Sequence, residues 1–154
     1  MEIRKATMKD FDELLNLKLK LKSQERSFNP HLKPVDKVKH HYKRYLKEDI
    51  VEKGRIIFLA TEKNKIVGTI GGKLYKPIEI YGNEKRAIIN NLYVHPSYRK
   101  KGIAKTLYKE LVKWFKTKKV VRVTLEIYSK NKVALDLYRK LGYKDFFQML
   151  IKKI

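Results

Sequence analysis

The first third of the chain predicts one short strand followed by two helices. Residues 3–6 form a short apolar run, and Thr7 followed by Asp10 is a pattern that starts helices. A first helical stripe follows, at Phe11, Leu14, Leu15 and Leu21. Two prolines make residues 27–34 a loop. Helical spacing then returns in a second stripe, at Val35, Val38, Tyr42, Tyr45 and Leu46.

The middle of the chain changes to the apolar runs of β-structure. Residues 55–60 predict a buried strand, residues 62–65 a turn, and residues 66–75 a second strand. Glycines at 68, 71 and 72 indicate bulges or a close approach within that second strand. Residues 78–81 and 87–94 lie on either side of a Gly-Asn pair, and this pattern predicts a hairpin.

The last third alternates helix and strand. A helical stripe is formed by Ile103, Leu107, Leu111 and Trp114. Residues 120–127 predict a strand, residues 131–141 a helix that ends at Gly142, and residues 146–151 a last strand.

With the hairpin counted as one β element, the order is β-α-α-β-β-β-α-β-α-β. The strand–helix–strand unit of residues 87–127 predicts a parallel crossover, whereas the hairpin is antiparallel, so the sheet is mixed. The sequence shows no linker and no repeat. We therefore expect a single α/β domain of the α+β type over residues 1–154.

The charge of the chain is extreme for its size. Lys and Arg number 38 against 16 Asp and Glu, which leaves a net charge of +22. Such a charge attracts nucleic acid, anionic cofactors and acidic partners, although a lysine-rich proteome or a hot habitat also raises it. The lysines are spread over every predicted helix, and no zinc-finger, basic-zipper or RNA-recognition pattern occurs. Contact with nucleic acid or the ribosome therefore stays open.

Several classes of protein and site are excluded by the composition. The chain has no cysteine, which excludes disulfides, thiolate zinc sites and cysteine nucleophiles. No apolar run approaches the roughly 18 residues of a membrane helix, and residues 1–10 lack the apolar core of a signal peptide. We expect a cytoplasmic protein that does not engage a membrane.

Residues 98–106, here called the basic turn, contradict the usual charge preference of a helix start. Arg99, Lys100, Lys101 and Lys105 crowd the N-terminus of the predicted third helix. That end carries the positive half of the helix dipole and unpaired N–H groups, so cations there are unfavourable. A bound polyanion removes the conflict, and Gly102 gives its phosphates room to approach the backbone. The segment therefore predicts a pyrophosphate cradle, with a solvated basic turn as the alternative.

A second motif lies downstream of the basic turn. It consists of Asn131, Ala134, Leu137, Tyr138, Gly142 and Tyr143. Together with Arg99, Gly102 and Ala104 in an R-x-x-G-x-A turn, it resembles the two signature motifs of the GCN5-related N-acetyltransferase (GNAT) superfamily, in the family order and spacing. Ala104 and Tyr143 stand where Gly and Phe are commoner. The resemblance implies a mixed central sheet with a splayed parallel strand pair and about four flanking helices.

The resemblance also implies acetyl-coenzyme A as cosubstrate, without a metal. A strand bulge near residues 92–94 would splay the strands, so that the backbone of Leu92, Tyr93 and Val94 contacts the pantetheine arm. Asn131 would contact the same arm. The pyrophosphate would be held by the basic turn, through Arg99, Lys100, Lys101, Gly102, Ile103, Ala104, Lys105 and Thr106.

The family chemistry is direct attack of an amine on the thioester. Tyr138 occupies the family position of the general acid that protonates the leaving thiolate; a core aromatic is the alternative reading. Glu126 is the candidate general base, Glu79 is a second one, and a relayed water is an alternative to both. The four histidines, at 31, 40, 41 and 95, show no metal spacing.

The acceptor is less defined than the donor. A small amine, an amino-acid derivative and a protein amine all remain open, and the chain is expected to be a monomer or homodimer. Two other functions also remain open, a basic module bound to nucleic acid or a ribosome and a coenzyme A-binding regulator without turnover.

Overall fold

The computed structural model describes residues 1–154 and is built on a five-stranded sheet. The strands lie side by side in chain order, and they are β1 (Glu2–Lys5), β2 (Arg55–Glu62), β3 (Lys65–Leu74), β4 (Arg86–Val94) and β5 (Arg122–Thr124). The first four pair antiparallel, and β4 pairs with β5 in parallel. The predicted mixed sheet and parallel crossover are therefore confirmed.

Four helices cover the two faces of the sheet. They are α1 (Phe11–Glu25), α2 (Lys39–Val51), α3 (Ile103–Thr117) and α4 (Lys132–Lys140). Side chains alternate along β2, so that Ile56 and Phe58 pack with α3 and Tyr138, whereas Ile57 and Leu59 pack with α1 and α2. The sheet thus separates two apolar cores. None of the helices combines the length and apolar character needed to cross a membrane.

The glycines of β3 allow close packing of α3. A Cβ atom on Gly72 would lie 2.6 Å from Cδ1 of Leu111 and 2.9 Å from Cζ of Phe115. Both side chains are buried in the core on that face. The close approach predicted from the glycine spacing is therefore present, and it brings α3 against the sheet.

An ion pair joins β1 to the start of α1. Arg4 donates two hydrogen bonds to the Asp10 carboxylate, at 2.7 and 2.9 Å, and the Thr7 backbone N–H and hydroxyl donate to the same group. These bonds, chiefly those from Arg4, hold the pKa of Asp10 at about 2. The Thr7 and Asp10 pattern thus marks a real helix start.

Three predicted strands differ in the structure. Residues 78–81 are exposed, and a single 3-10 turn, Glu79–Tyr81, replaces the strand, because β4 pairs with β3 instead. The strand predicted at 120–127 shortens to β5, since its pairing to β4 ends at Thr124. Residues 146–151 form no strand and leave apolar side chains exposed. With three residues, β5 offers only a short edge for a sixth strand.

Candidate active site

A cleft opens where β4 continues beyond its parallel partner. The β4–β5 ladder pairs Arg86 with Arg122, Ala87 with Val123 and Ile88 with Thr124, and then it stops. β4 continues to Val94 with β3 as its only neighbouring strand. The strand edge from Ile89 to Val94 is therefore free on the β5 side, which is the splayed geometry expected from the sequence.

A β-bulge lies in the same part of β4. Thr69 pairs with Tyr93 and Gly71 with Asn90, so Asn91 and Leu92 together oppose a single residue of β3. Asn91 has a left-handed backbone with φ 52°, which asparagine tolerates better than most residues. The bulge thus overlaps the start of the predicted 92–94 segment, and it bends the strand where the cleft begins.

The basic turn presents a row of unsatisfied backbone donors. No N–H group from Lys100 to Lys105 donates to an acceptor of the chain, and Thr106 makes the first such bond, to the Gly102 carbonyl at 3.0 Å. Lys100 and Gly102 have φ values of 60° and 79°. Left-handed residues in a turn direct N–H groups into one concavity, where an anion can bind. The segment predicted to form the cradle therefore carries a set of free backbone donors at the start of α3.

The side chains of the basic turn leave this concavity electropositive. Arg99, Lys100, Lys101 and Lys105 are all exposed, and none forms an ion pair. No acidic residue lies in the first turn of α3. Arg99 donates from Nε to the Val94 carbonyl at 3.0 Å, which ties the turn to the end of β4. Its terminal nitrogens stay free for a ligand.

Gly102 is required by its backbone conformation and not by crowding. A Cβ atom built on it would meet no atom within 4 Å. Its φ of 79° lies in the left-handed region, where other residues are strained. The space in front of Gly102 is therefore open to a ligand.

Tyr138 lies in the core below this cleft. It is 6% exposed and belongs to the cluster against which Leu92 and Val94 pack. Its hydroxyl makes no hydrogen bond within the chain. The hydroxyl is nevertheless not fully buried, because Nε of Arg86 is the only side-chain nitrogen or oxygen that is both fully buried and without a partner. The Tyr138 hydroxyl must therefore reach space that solvent can enter. Burial, with a smaller effect from Tyr108, raises its pKa, so it stays protonated.

Tyr143 supports the Tyr138 ring. The two rings meet edge to face with centroids 5.5 Å apart. Tyr108 donates a hydrogen bond to the Tyr143 hydroxyl at 3.4 Å, and burial raises the pKa of Tyr143. The hydroxyl that distinguishes Tyr143 from the commoner Phe thus has a partner on α3.

The other residues predicted for the site, Asn131, Glu126 and Glu79, differ in their positions and contacts. Asn131 caps α4 by accepting a bond from the Ala134 N–H at 3.2 Å. Glu126 follows β5 and is exposed without an ion pair or hydrogen bond. Glu79 lies in the connection before β4, at the opposite end of that strand from the basic turn. No group of three or more acidic or histidine residues could hold a metal ion.

Lys18, Asp49 and Asn91 lie together on the α1–α2 side of the sheet, and the sequence did not indicate them. A cavity of about 20 Å³, room for about one water, lies between these helices and the bulge. Asn91 and Tyr93 line it beside Lys18, which pairs with buried Asp49 at 3.1 Å. In the sequence, only the Asn-Asn pair at 90–91 points to this region, because asparagine tolerates the left-handed backbone that Asn91 adopts.

The chain is similar to known acetyltransferases. The sequence profile of the acetyltransferase (GNAT) family matches residues 20–143, well over half of the chain. N-alpha-acetyltransferase MAK3 of Arabidopsis thaliana is 37% identical over 89 residues, which cover 58% of this chain and 45% of that protein. The matched stretch therefore spans less than half the length of this curated relative.

Solved structures share the fold over nearly the whole chain. A predicted acetyltransferase from Clostridium acetobutylicum, solved with acetyl-coenzyme A, has a TM-score of 0.79 and 22% identity and covers 99% of this chain and 95% of its own. A ribosomal-protein-alanine N-acetyltransferase from Brucella melitensis biovar Abortus 2308 has a TM-score of 0.70 and 16% identity over 100% of both chains. At these identities the likeness establishes the fold.

Proposed function

This chain belongs to the acetyltransferase (GNAT) family, and from that premise we propose that it transfers an acetyl group from acetyl-coenzyme A directly to a primary amine. The observation that carries the proposal is the basic turn, where the N–H groups from Lys100 to Lys105 lack acceptors beside four unpaired cations. A pyrophosphate would satisfy both, since charged hydrogen bonds to backbone N–H groups are strong. Without such a ligand the arrangement is unfavourable.

The free edge of β4 supports binding of the rest of the cosubstrate. A pantetheine arm carries two amides, which can pair with an exposed strand edge as another strand would. The bulge at Asn91 and Leu92 interrupts regular pairing with β3 beside this edge. A backbone N–H of this segment would stabilise the oxyanion that forms on the thioester carbonyl.

The chemistry requires the movement of protons as well as of the acetyl group. The amine nitrogen attacks the thioester carbon, so a C–N bond forms and the C–S bond breaks. In the proposal, Tyr138 donates its proton to the leaving thiolate, and its raised pKa keeps that proton available. The proton released by the amine passes to Glu126 or to a bound water. Glu126 is exposed and forms no ion pair, so no cation holds its carboxylate away from the cleft.

The acceptor is an aliphatic primary amine, on a small molecule or on a protein. The cavity beside Asn91 has room for about one water, which is too little for an amine substrate, and in the proposal the acceptor binds on the open surface of the cleft. Similarity to MAK3, whose name specifies an N-alpha-acetyltransferase, supports placing peptide α-amines first in a substrate panel.

The test combines ligand binding with turnover. Calorimetric titration with coenzyme A should show saturable binding, and release of free thiol from acetyl-coenzyme A should rise with an amine of the panel. Absence of binding at millimolar coenzyme A would refute the proposal. Binding without acetylation of any peptide, amino-acid or small amine would identify a coenzyme A-binding regulator instead.

The cellular setting stays a prediction. We propose a cytoplasmic enzyme, since a chain without cysteine does not depend on an oxidising compartment. Its oligomeric state is expected to be a monomer or a homodimer. Fractionation of cells and light scattering of the purified protein test these two statements.

A further inference from the structure

A second electropositive concavity lies away from the basic turn. Its volume is about 300 Å³, and it forms where the end of β3, the start of β4 and the end of α3 meet. We call it the distal basic pocket, and it is lined by Leu74, Tyr75, Pro77, Lys85, Arg86, Thr117, Lys118 and Lys119. Its size falls within the range of small-ligand sites.

The two concavities lie at opposite ends of the same elements. α3 begins at the basic turn and ends at the distal basic pocket, and β4 runs the other way between them. With nine residues in β4 and 15 in α3, the separation is on the order of 20–30 Å. The pocket is therefore distinct from the cleft that would hold acetyl-coenzyme A.

Four cations line the distal basic pocket, and no carboxylate does. The neighbouring carboxylate of Glu84 is engaged by Arg122, with bonds of 2.6 and 3.3 Å. The hydrogen bond from Arg122, with a smaller effect from the charge of Arg86, lowers the pKa of Glu84. The three lysines that line the pocket have no carboxylate partner, and like charges gathered in a concavity repel one another. A bound anion would relieve that repulsion.

Arg86 is held in place by two aromatic rings, and its side chain makes no hydrogen bond or ion pair. Its guanidinium carbon lies 3.8 Å from the Tyr81 ring centroid and 5.4 Å from that of Tyr75, which are favourable cation–π distances. It forms no ion pair, and its Nε is buried without a hydrogen-bond partner. A buried donor left unsatisfied is costly. The planar guanidinium is suited to two oxygens of a phosphate.

The end of α3 explains the left-handed conformation of Lys119, but it does not explain the choice of lysine at that position. The φ of Lys119 is 58°, a conformation at the end of a helix that glycine adopts without strain. The dipole of α3 does favour cations at this end. However, the N–H groups of Lys118, Lys119 and Val120 already bond to the last carbonyls of the helix. The dipole of α3 also does not explain the presence of Arg86 in the pocket, because Arg86 belongs to β4.

We propose that the distal basic pocket binds the phosphate groups of a ligand, with Arg86 as the central contact and Lys85, Lys118 and Lys119 around it. The phosphates come either from a free polyphosphate or from the backbone of a single-stranded nucleic acid. The exposed ring surfaces of Tyr75 and Tyr81 lie where bases of a strand could stack.

The test measures binding of two probes to the protein kept in excess coenzyme A, so that the basic turn is occupied. Tripolyphosphate is titrated by calorimetry, and a labelled ten-nucleotide single-stranded RNA by fluorescence anisotropy. Arg86→Gln should weaken binding of the recognised probe about tenfold or more, because it removes a charged, bidentate partner. Lys119→Gly should weaken it severalfold while maintaining or raising thermal stability, since glycine relieves the backbone strain.

Lys63→Gly is the matched control. Lys63 also has a left-handed backbone, with φ 48°, but it lies in the turn between β2 and β3. The Lys63→Gly substitution removes the same charge and the same backbone strain as Lys119→Gly, and it should leave binding of both probes unchanged. Binding of RNA that tripolyphosphate displaces identifies the backbone as the source, and binding of tripolyphosphate alone identifies a free polyphosphate. Absence of binding of both probes, or equal binding by wild type, Arg86→Gln and Lys119→Gly, overturns the proposal.

Discussion

Replacing Gly102 by alanine tests the basic turn most directly. Gly102 has φ 79°, and a Cβ atom there meets no atom of the chain within 4 Å. The substitution therefore adds no clash and acts through backbone strain, which costs about 1 kcal/mol for a residue in the left-handed region. For a domain of this size that corresponds to a fall in melting temperature of about 2–4 °C.

The effect on ligand binding should be larger than the effect on stability. The added methyl group, or the relaxation of the turn that avoids the strain, removes contacts between N–H groups of residues 100–105 and the pyrophosphate. A hydrogen bond to a charged group contributes about 1.5–3 kcal/mol, so loss of one such bond weakens coenzyme A binding by about tenfold or more. Isothermal titration calorimetry measures this affinity, and thermal denaturation measures the stability.

Gly82→Ala is the control for strain. Gly82 also has a left-handed backbone, with φ 62°, and its added Cβ would likewise meet nothing within 4 Å. It lies at the other end of β4, so it should lower stability about as much and leave coenzyme A affinity unchanged.

A change of donor separates loss of phosphate contacts from general damage to the cleft. With S-acetylpantetheine, which lacks the pyrophosphate, Gly102→Ala and wild type should have similar kcat/KM. If Gly102→Ala and Gly82→Ala lose equal stability and bind coenzyme A equally well, the basic turn is not the pyrophosphate site.

Three further changes test the mechanism and the fold. Tyr138→Phe should lower turnover by about ten- to a thousandfold without changing coenzyme A affinity, and unchanged steady-state kinetics would remove Tyr138 from the mechanism. Asp10 has its pKa lowered to about 2, so its stabilisation is complete above about pH 5 and is lost as the pH falls towards 2. Asp10→Asn should lower the free energy of unfolding by about 1 kcal/mol at pH 7, a small figure because Arg4 is partly exposed. The variant should also lose less stability than wild type between pH 5 and pH 2, and an unchanged pH dependence of stability over that range would contradict this. Gly72→Ala should destabilise the fold by about 1–3 kcal/mol in urea titrations, because α3 leaves no room for the methyl group.

The helices followed from local patterns in the sequence. The stripe that starts at Ile103 lies on α3, and the one predicted for residues 131–141 lies on α4, with Gly142 just beyond its end. A helix forms all its backbone bonds within one segment, so the spacing of its apolar residues is enough to locate it. The contiguous residues of the basic turn were recognisable for the same reason.

The strands depended on partners that lie far away in the chain. Residues 120–127 and 146–151 have the composition of strands, but a strand exists only where another strand offers free backbone groups. β4 and β5 separate after three pairs, which shortens one predicted strand, opens the cleft and leaves little edge for the other. No local pattern contains that information.

The sequence by itself determined the family, and it located the segment predicted to hold the pyrophosphate and the position of Tyr138, because each rests on short motifs of fixed spacing. The tertiary structure decided which donors stay free and what faces them. Only the packed chain shows that the N–H groups from Lys100 to Lys105 lack acceptors. Only it places Arg86 beside Lys118 and Lys119, because contact between residues of different elements is set by how those elements pack.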